Sequence, residues 1–231
     1  AAHLLGLSAE ATETALNIAA SMPSGLKRNF GSMTKPLHAG LCARSGVTAA
    51  RLAGQGFTAG DAVISGERGF WERYGVDARG EFSIGDGWHL DEDGIHTKAY
   101  PCCYFTHTAI AATLELSEGL DAGAVERVYV EAAPGAGDAL TNPDPTTDLE
   151  AKFSMEYPVA AAFVHGEVGL ETFTEAALEG PDVRRLSDRV DFVVDETLPY
   201  DSHEAFVRVE TADAEYERRR HDPPGTHSDP L

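Results

Sequence analysis

The hydrophobic pattern of the chain changes period near residue 88, and that change excludes both an all-helical bundle and an all-β sandwich. Before it, apolar residues recur at helical spacing among alanines: Leu4, Leu5, Leu16 and Ile18, then Leu41, Val47 and Leu52. After it, the stretch from Val125 to Ala133 sets valines against Arg, Tyr and Glu, the two-residue period of a half-buried strand. An α+β chain is therefore expected, with a helical part over residues 1–88 and a smaller α+β part over residues 89–231.

Within the first part, residues 1–22 read as helix, with Ser8 as an N-cap ahead of Glu10 and Glu13. A glycine-bearing loop follows to residue 40, and residues 38–55 read as an Ala-rich helix whose small side chains allow close approach. Residues 60–74 read as a further short helix, and residues 85–87 as a Gly-Asp-Gly turn. In the second part, residues 95–103 read as a short strand-like run ending at Pro101. A helix capped by Thr106 or Thr108 is expected to follow, to residue 116. Residues 134–149 read as loop, 153–164 as an apolar helix, and 173–190 as one or two helices broken at Gly180-Pro181. Residues 190–194 and 205–211 read as strands.

The charge balance narrows the partners. Lys plus Arg is 18 against 38 Asp plus Glu, a formal net charge of -20. Such a surface repels phosphate backbones and anionic lipids, so neither nucleic acid nor a membrane is an expected partner. No stretch approaches the roughly 20 apolar residues of a membrane helix, and no signal peptide is seen. Three cysteines, two of them adjacent, make no disulfide framework and fit a reducing, cytoplasmic compartment. An acidic surface with lysine only at 27, 35, 98 and 152 points to a halophilic source. The expected outcome is loss of helical circular dichroism on dilution into low salt, where the unbalanced charges repel with little screening. An unchanged spectrum would refute it. Both ends look like cuts through a longer protein, so the chain reads as a fragment.

Two stretches can carry chemistry. In Gly31-Ser-Met-Thr-Lys-Pro-Leu-His38, Pro36 fixes its own φ and biases Lys35 toward an extended conformation just before a helix. Helix N-termini favour anions, so Lys35, and with it His38, is a candidate for binding a carboxylate or moving a proton. A solvated lysine at a helix start is the alternative. In Tyr100-Pro-Cys-Cys-Tyr-Phe-Thr-His107, the histidine falls at a strand-to-helix junction and is a candidate acid or base. A histidine bonded to the helix start is the alternative. Cys102 and Cys103 read as small hydrophobes. The cysteine spacing does not suit an iron–sulfur cluster, no His-Glu-x-x-His pair occurs, and no phosphate-cradling Gly motif is complete, so no metal or other cofactor is expected. Glu150-Ala-Lys-Phe-Ser-Met-Glu-Tyr157 opens the apolar helix, and Tyr157 reads as core with a tethered hydroxyl or as a site residue.

These stretches, with Gly66-Glu-Arg-Gly-Phe70, together resemble the MmgE/PrpD family and stand in its order along most of the chain. The family includes 2-methylcitrate dehydratase, cis-aconitate decarboxylase and an iminodisuccinate epimerase. The resemblance implies a helical domain and a smaller α+β lid with the active site between them, a homodimer, and no metal. It implies that Lys35 and His107 are catalytic, and that His38 and Tyr157 are substrate-binding. It also implies that the family's sequence begins well before Ala1, in helices with further site residues, and continues past Leu231. The expected activity is dehydration of 2-methylcitrate, as in propionate catabolism, or of a related polycarboxylate. The alternatives are a decarboxylase or epimerase on the same scaffold, or a non-catalytic remnant that pairs with a complete paralogue.

Overall fold

A computed structural model describes residues 1–23, 25–74, 87–92 and 94–231. Ten helices are seen among them: α1 (Ala9–Ala19), α2 (Thr34–Gly54), α3 (Phe70–Arg73), α4 (His89–Glu92), α5 (His107–Ser117), α6 (Pro134–Ala139), α7 (Asp148–Ala151), α8 (Glu156–His165), α9 (Glu175–Leu178) and α10 (Pro181–Ser187). Besides short 3-10 turns there are four strands among the described residues: β1 (Val125–Ala132), β2 (Val190–Val194), β3 (Ala205–Thr211) and β4 (Glu215–Arg220). The fold class is α+β. None of the described helices is long and apolar enough to cross a membrane.

The chain divides into two compact units, Ala1–Leu26 with Met33–Asp86, and Lys27–Ser32 with Gly87–Leu231. In the first, Ser8 caps α1 by accepting from the Ala11 N–H at 3.2 Å. Helix α1 packs on α2 through Ala15, Ile18, Ala49, Ala50 and Ala53. Alanines let the two axes approach closely, which is why this small core needs few large side chains. Asn17 ties the pair to the following turn by donating to the Gly60 carbonyl at 3.1 Å.

Two expectations for this unit fail. Helix α2 begins at Thr34, so Lys35 is helical rather than extended. Pro36 is tolerated as the third helical residue because the first N–H groups of a helix have no intrahelical acceptor. The carbonyl its ring would strike belongs to Ser32, outside the helix. Of residues 60–74, only Phe70–Arg73 is helical. Ala62 and Arg68 have φ of 50° and 60°, left-handed values that break a right-handed helix. In the expected Gly-Asp-Gly turn, residues 85 and 86 lie outside the described residues.

The second unit is a four-stranded sheet in the order β2-β1-β3-β4, with α5 and α8 in its core. Strand β1 pairs parallel with β2 and antiparallel with β3. The register sets Val128 opposite Val209 and Val130 opposite Val207, and all four are fully buried. A register shift between Val125 and Arg127 adds a residue to one strand, so Val125 and Val128, three apart, both face the core. On the other face Arg208 lies 5.2 Å over the Tyr129 ring. Helix α8 is buried from Tyr157 to Phe163, as an all-apolar helix must be.

Here too the sequence reading needs correction. Residues 95–103 form no strand: Pro101 lacks an N–H, and the segment runs in bends. Thr106 does not cap α5 with its side chain; its hydroxyl donates to the Cys103 carbonyl at 2.8 Å. The stretch 134–149 contains α6, opened by Pro134 at a position where its missing N–H costs nothing. The apolar helix starts at Glu156. Glu150 therefore belongs to the separate turn α7, where its carboxylate accepts from the Thr146 N–H and hydroxyl, each at 2.8 Å.

Candidate active site

Lys35 sits in the first turn of α2, a 21-residue helix, and its side chain is exposed. A cation there is unfavourable for the helix, because the unpaired N–H groups already make that end positive. The two positive potentials coincide instead at one place, which suits an anion. His38 follows one turn later and is half-buried. Gly25 packs on it so closely that a Cβ there would come within 3.0 Å of its Nδ1. The imidazole is thus held by its own unit.

Residues 27–32, which precede Lys35 in the chain, belong to the α+β unit. Phe30 packs on Phe153 with ring centroids 5.3 Å apart. Gly31 has a φ of +83°, and a Cβ there would stand 2.8 Å from Asn142 Nδ2 and 3.2 Å from the Glu150 Cα. Glycine is needed at Gly31 for both reasons. Lys27 donates to Asp138 at 3.0 Å and to the Tyr200 hydroxyl at 2.7 Å. Two of the sequence motifs, one around Gly31 and one around Glu150, therefore meet in space.

His107 opens α5 and is fully buried. Tyr100 and Tyr104 flank its ring at 5.1 and 4.9 Å. Neither ring nitrogen has a hydrogen-bond partner among the described residues. The carbonyls of Cys102 and Tyr100 do lie near enough to favour the charged ring, but burial, followed by the Lys98 charge, outweighs them. The pKa is pushed down to about 4, so the imidazole is a neutral base at neutral pH. Lys98 is held nearby by donating to the Cys102 carbonyl at 3.1 Å. Burial pushes the Cys102 thiol up to about 12, which rules it out as a nucleophile near neutrality.

The His107 shift has a sign that can be measured. Between pH 6.5 and about 4 the unfolded chain binds a proton that the folded chain refuses. Stability is therefore undiminished above 6.5 and falls on acidification to about 4, by on the order of 3 kcal/mol. In urea titrations at pH 7 and pH 4.5, His107→Gln is expected to flatten this limb relative to the wild type. Equal slopes in the two proteins would show that His107 is not held neutral.

Tyr157 is buried, and its hydroxyl donates to the Thr172 carbonyl at 2.5 Å. That bond ties α8 to the turn before α9. Sequence reasoning did not single out Lys98, His96 or His203, which the fold gathers around Tyr104 and His107. Lys98 carried one usable signal, as one of four lysines and close to the His107 motif. The two histidines carried none.

Residues 1–82 match the MmgE/PrpD N-terminal domain and residues 100–231 the MmgE/PrpD C-terminal domain. The chain belongs to the MmgE/PrpD family. Among curated proteins it is similar to the cis-aconitate decarboxylase of Homo sapiens, at 29% identity over 200 residues, 83% of this chain and 41% of that protein. The cis-aconitate decarboxylase of Mus musculus is 27% identical over 82% of this chain and 41% of its own length. That of Aspergillus terreus (strain NIH 2624 / FGSC A1156) is 26% identical over 81% and 42%. The chain thus spans about two fifths of the length of the curated relatives it matches.

Proposed function

We propose that the protein is a polycarboxylate lyase that moves a proton at a carbon next to a carboxylate. The observation that carries this is His107, a buried imidazole held neutral beside Lys98. Lys35 and Lys98 supply cations on an otherwise anionic chain, as a substrate with several carboxylates requires. Lys35 is proposed to stabilise the charge that develops on the substrate, and His107 to take up the proton. His38 and Tyr157 are proposed as substrate-binding residues. In the dehydration of 2-methylcitrate the base removes the proton, the electron pair forms the new double bond, and the hydroxyl takes a proton, which the protonated base can return, and leaves as water.

A second reading is decarboxylation, in which carbon dioxide leaves and the carbanion is protonated by the same groups. The name cis-aconitate decarboxylase on all three relatives favours it. The test is proton NMR in D₂O and concentrated KCl, offering 2-methylcitrate, citrate and cis-aconitate to the full-length protein. New vinyl signals with loss of water, or with loss of carbon dioxide, distinguish the two. A folded full-length protein that leaves all three substrates unchanged, without deuterium exchange, would sink both.

A further inference from the structure

His107 is enclosed, and what encloses it points to a second imidazole. One covering ring is Tyr104, 4.9 Å away. Tyr104 also carries His203, edge-on at 4.7 Å and 75°. Its hydroxyl lies 3.4 Å from His96 Nδ1. His203 packs in turn on Phe105 at 4.9 Å. It stands on the connection from β2 to β3, in a turn where the Ser202 N–H donates to the Pro199 carbonyl and the Glu204 N–H to the Ser202 hydroxyl. Three imidazoles thus surround one tyrosine, and only His107 is fully buried.

The Nδ1 of His203 is buried without a hydrogen-bond partner among the described residues, while the residue as a whole is half-buried. Nδ1 is enclosed, so Nε2 is the ring nitrogen open to a ligand, and in the Nε2–H tautomer it is a donor. We propose that His203 is a substrate-contacting residue whose Nε2–H donates to a carboxylate of the substrate, beside the aromatic rings that flank His107. The proposal rests on the polycarboxylate reading above and adds a residue to it. Asp201 and Asp222 favour the charged ring, whereas burial and His96 oppose it and keep its pKa low. His107 and Tyr104 face it uncharged at neutral pH, and the neighbouring Glu204 is engaged by Arg219 and His221. A carboxylate arriving beside His203 adds a negative charge, so binding is expected to draw in a proton.

Propane-1,2,3-tricarboxylate tests this, because it has neither a hydroxyl to lose nor a double bond. Calorimetry on the full-length protein at pH 6 and pH 8 is expected to show tighter binding at pH 6, with proton uptake between two buffers of different ionisation enthalpy. His203→Phe keeps the ring packing on Tyr104 and Phe105 but has no N–H; it is expected to weaken binding by about tenfold or more. His203→Gln keeps a donor near the same place and is expected to fall in between. If the wild type binds and His203→Phe binds within twofold of it, the His203 assignment is overturned and the polycarboxylate reading stands. If the wild type binds no tricarboxylate, both are overturned. Should the variants melt below the assay temperature, binding to the wild type without proton uptake near pH 6 overturns the assignment by itself.

Discussion

Lys35→Ala in the full-length protein is expected to lower kcat/KM by about 10²- to 10³-fold, the usual effect of removing one group that stabilises developing charge. The same substitution should change stability by no more than about 1 kcal/mol in either direction. Lys35 is exposed, so no core is opened. Its charge lies in the first turn of α2, where a cation opposes the helix dipole by about 0.3–1 kcal/mol. Lys35→Glu sharpens the contrast: it should stabilise the helix further while abolishing turnover. Thermal melts and initial rates on the three proteins decide the matter. Turnover within twofold of the wild type in Lys35→Ala would remove Lys35 from the mechanism, and a large fall in Tm would mean that it holds the fold.

His107 does not allow so clean a separation, because its ring fills the core beside Tyr100 and Tyr104. The difference between the two residues also shows what the sequence could and could not give. Both were legible as motif residues, and neither environment was. A lysine before proline is locally biased to extended backbone, but one turn of a 21-residue helix overrode that bias. The burial of His107 depends on Tyr104, which is near in sequence, and on sheet and loop residues that are not.

The same limit applied to the fold. Helix α2 and strands β1 to β3 were visible from the spacing of their apolar residues, and α5 and α8 from apolar runs that are buried on every side. Strand β4 was missed because Glu215 to Arg220 is charged apart from Tyr216. Its place comes from pairing with β3, from Arg218 reaching Glu115 at 2.7 Å and from Arg219 reaching Glu204 at 2.5 Å. An edge strand need not alternate when one of its faces has no core to meet. Helix α6 was hidden by its glycines, which the packing requires rather than the turn.

Gly135→Ala puts that last point at risk. The Gly135 N–H donates to the Tyr200 carbonyl at 2.9 Å, and an added Cβ would come 2.4 Å from that same oxygen and 2.8 Å from Phe105 Cζ. Neither neighbour can yield freely: one is backbone, and the other is the ring on which His203 packs. Overpacking of this kind costs about 1–3 kcal/mol. For a chain of this size that is a fall in Tm of roughly 2–12 °C. Gly169→Ala is the control, since a Cβ there meets nothing within 4 Å, and it should stay within about 0.5 kcal/mol of the wild type. Because Tyr200 and His203 share one connection, Gly135→Ala should also weaken tricarboxylate binding at temperatures where it is still folded. A variant that melts with the wild type would show that α6 and the β2–β3 connection do not approach so closely. One that melts early yet binds as tightly would show that Phe105 can move without disturbing His203.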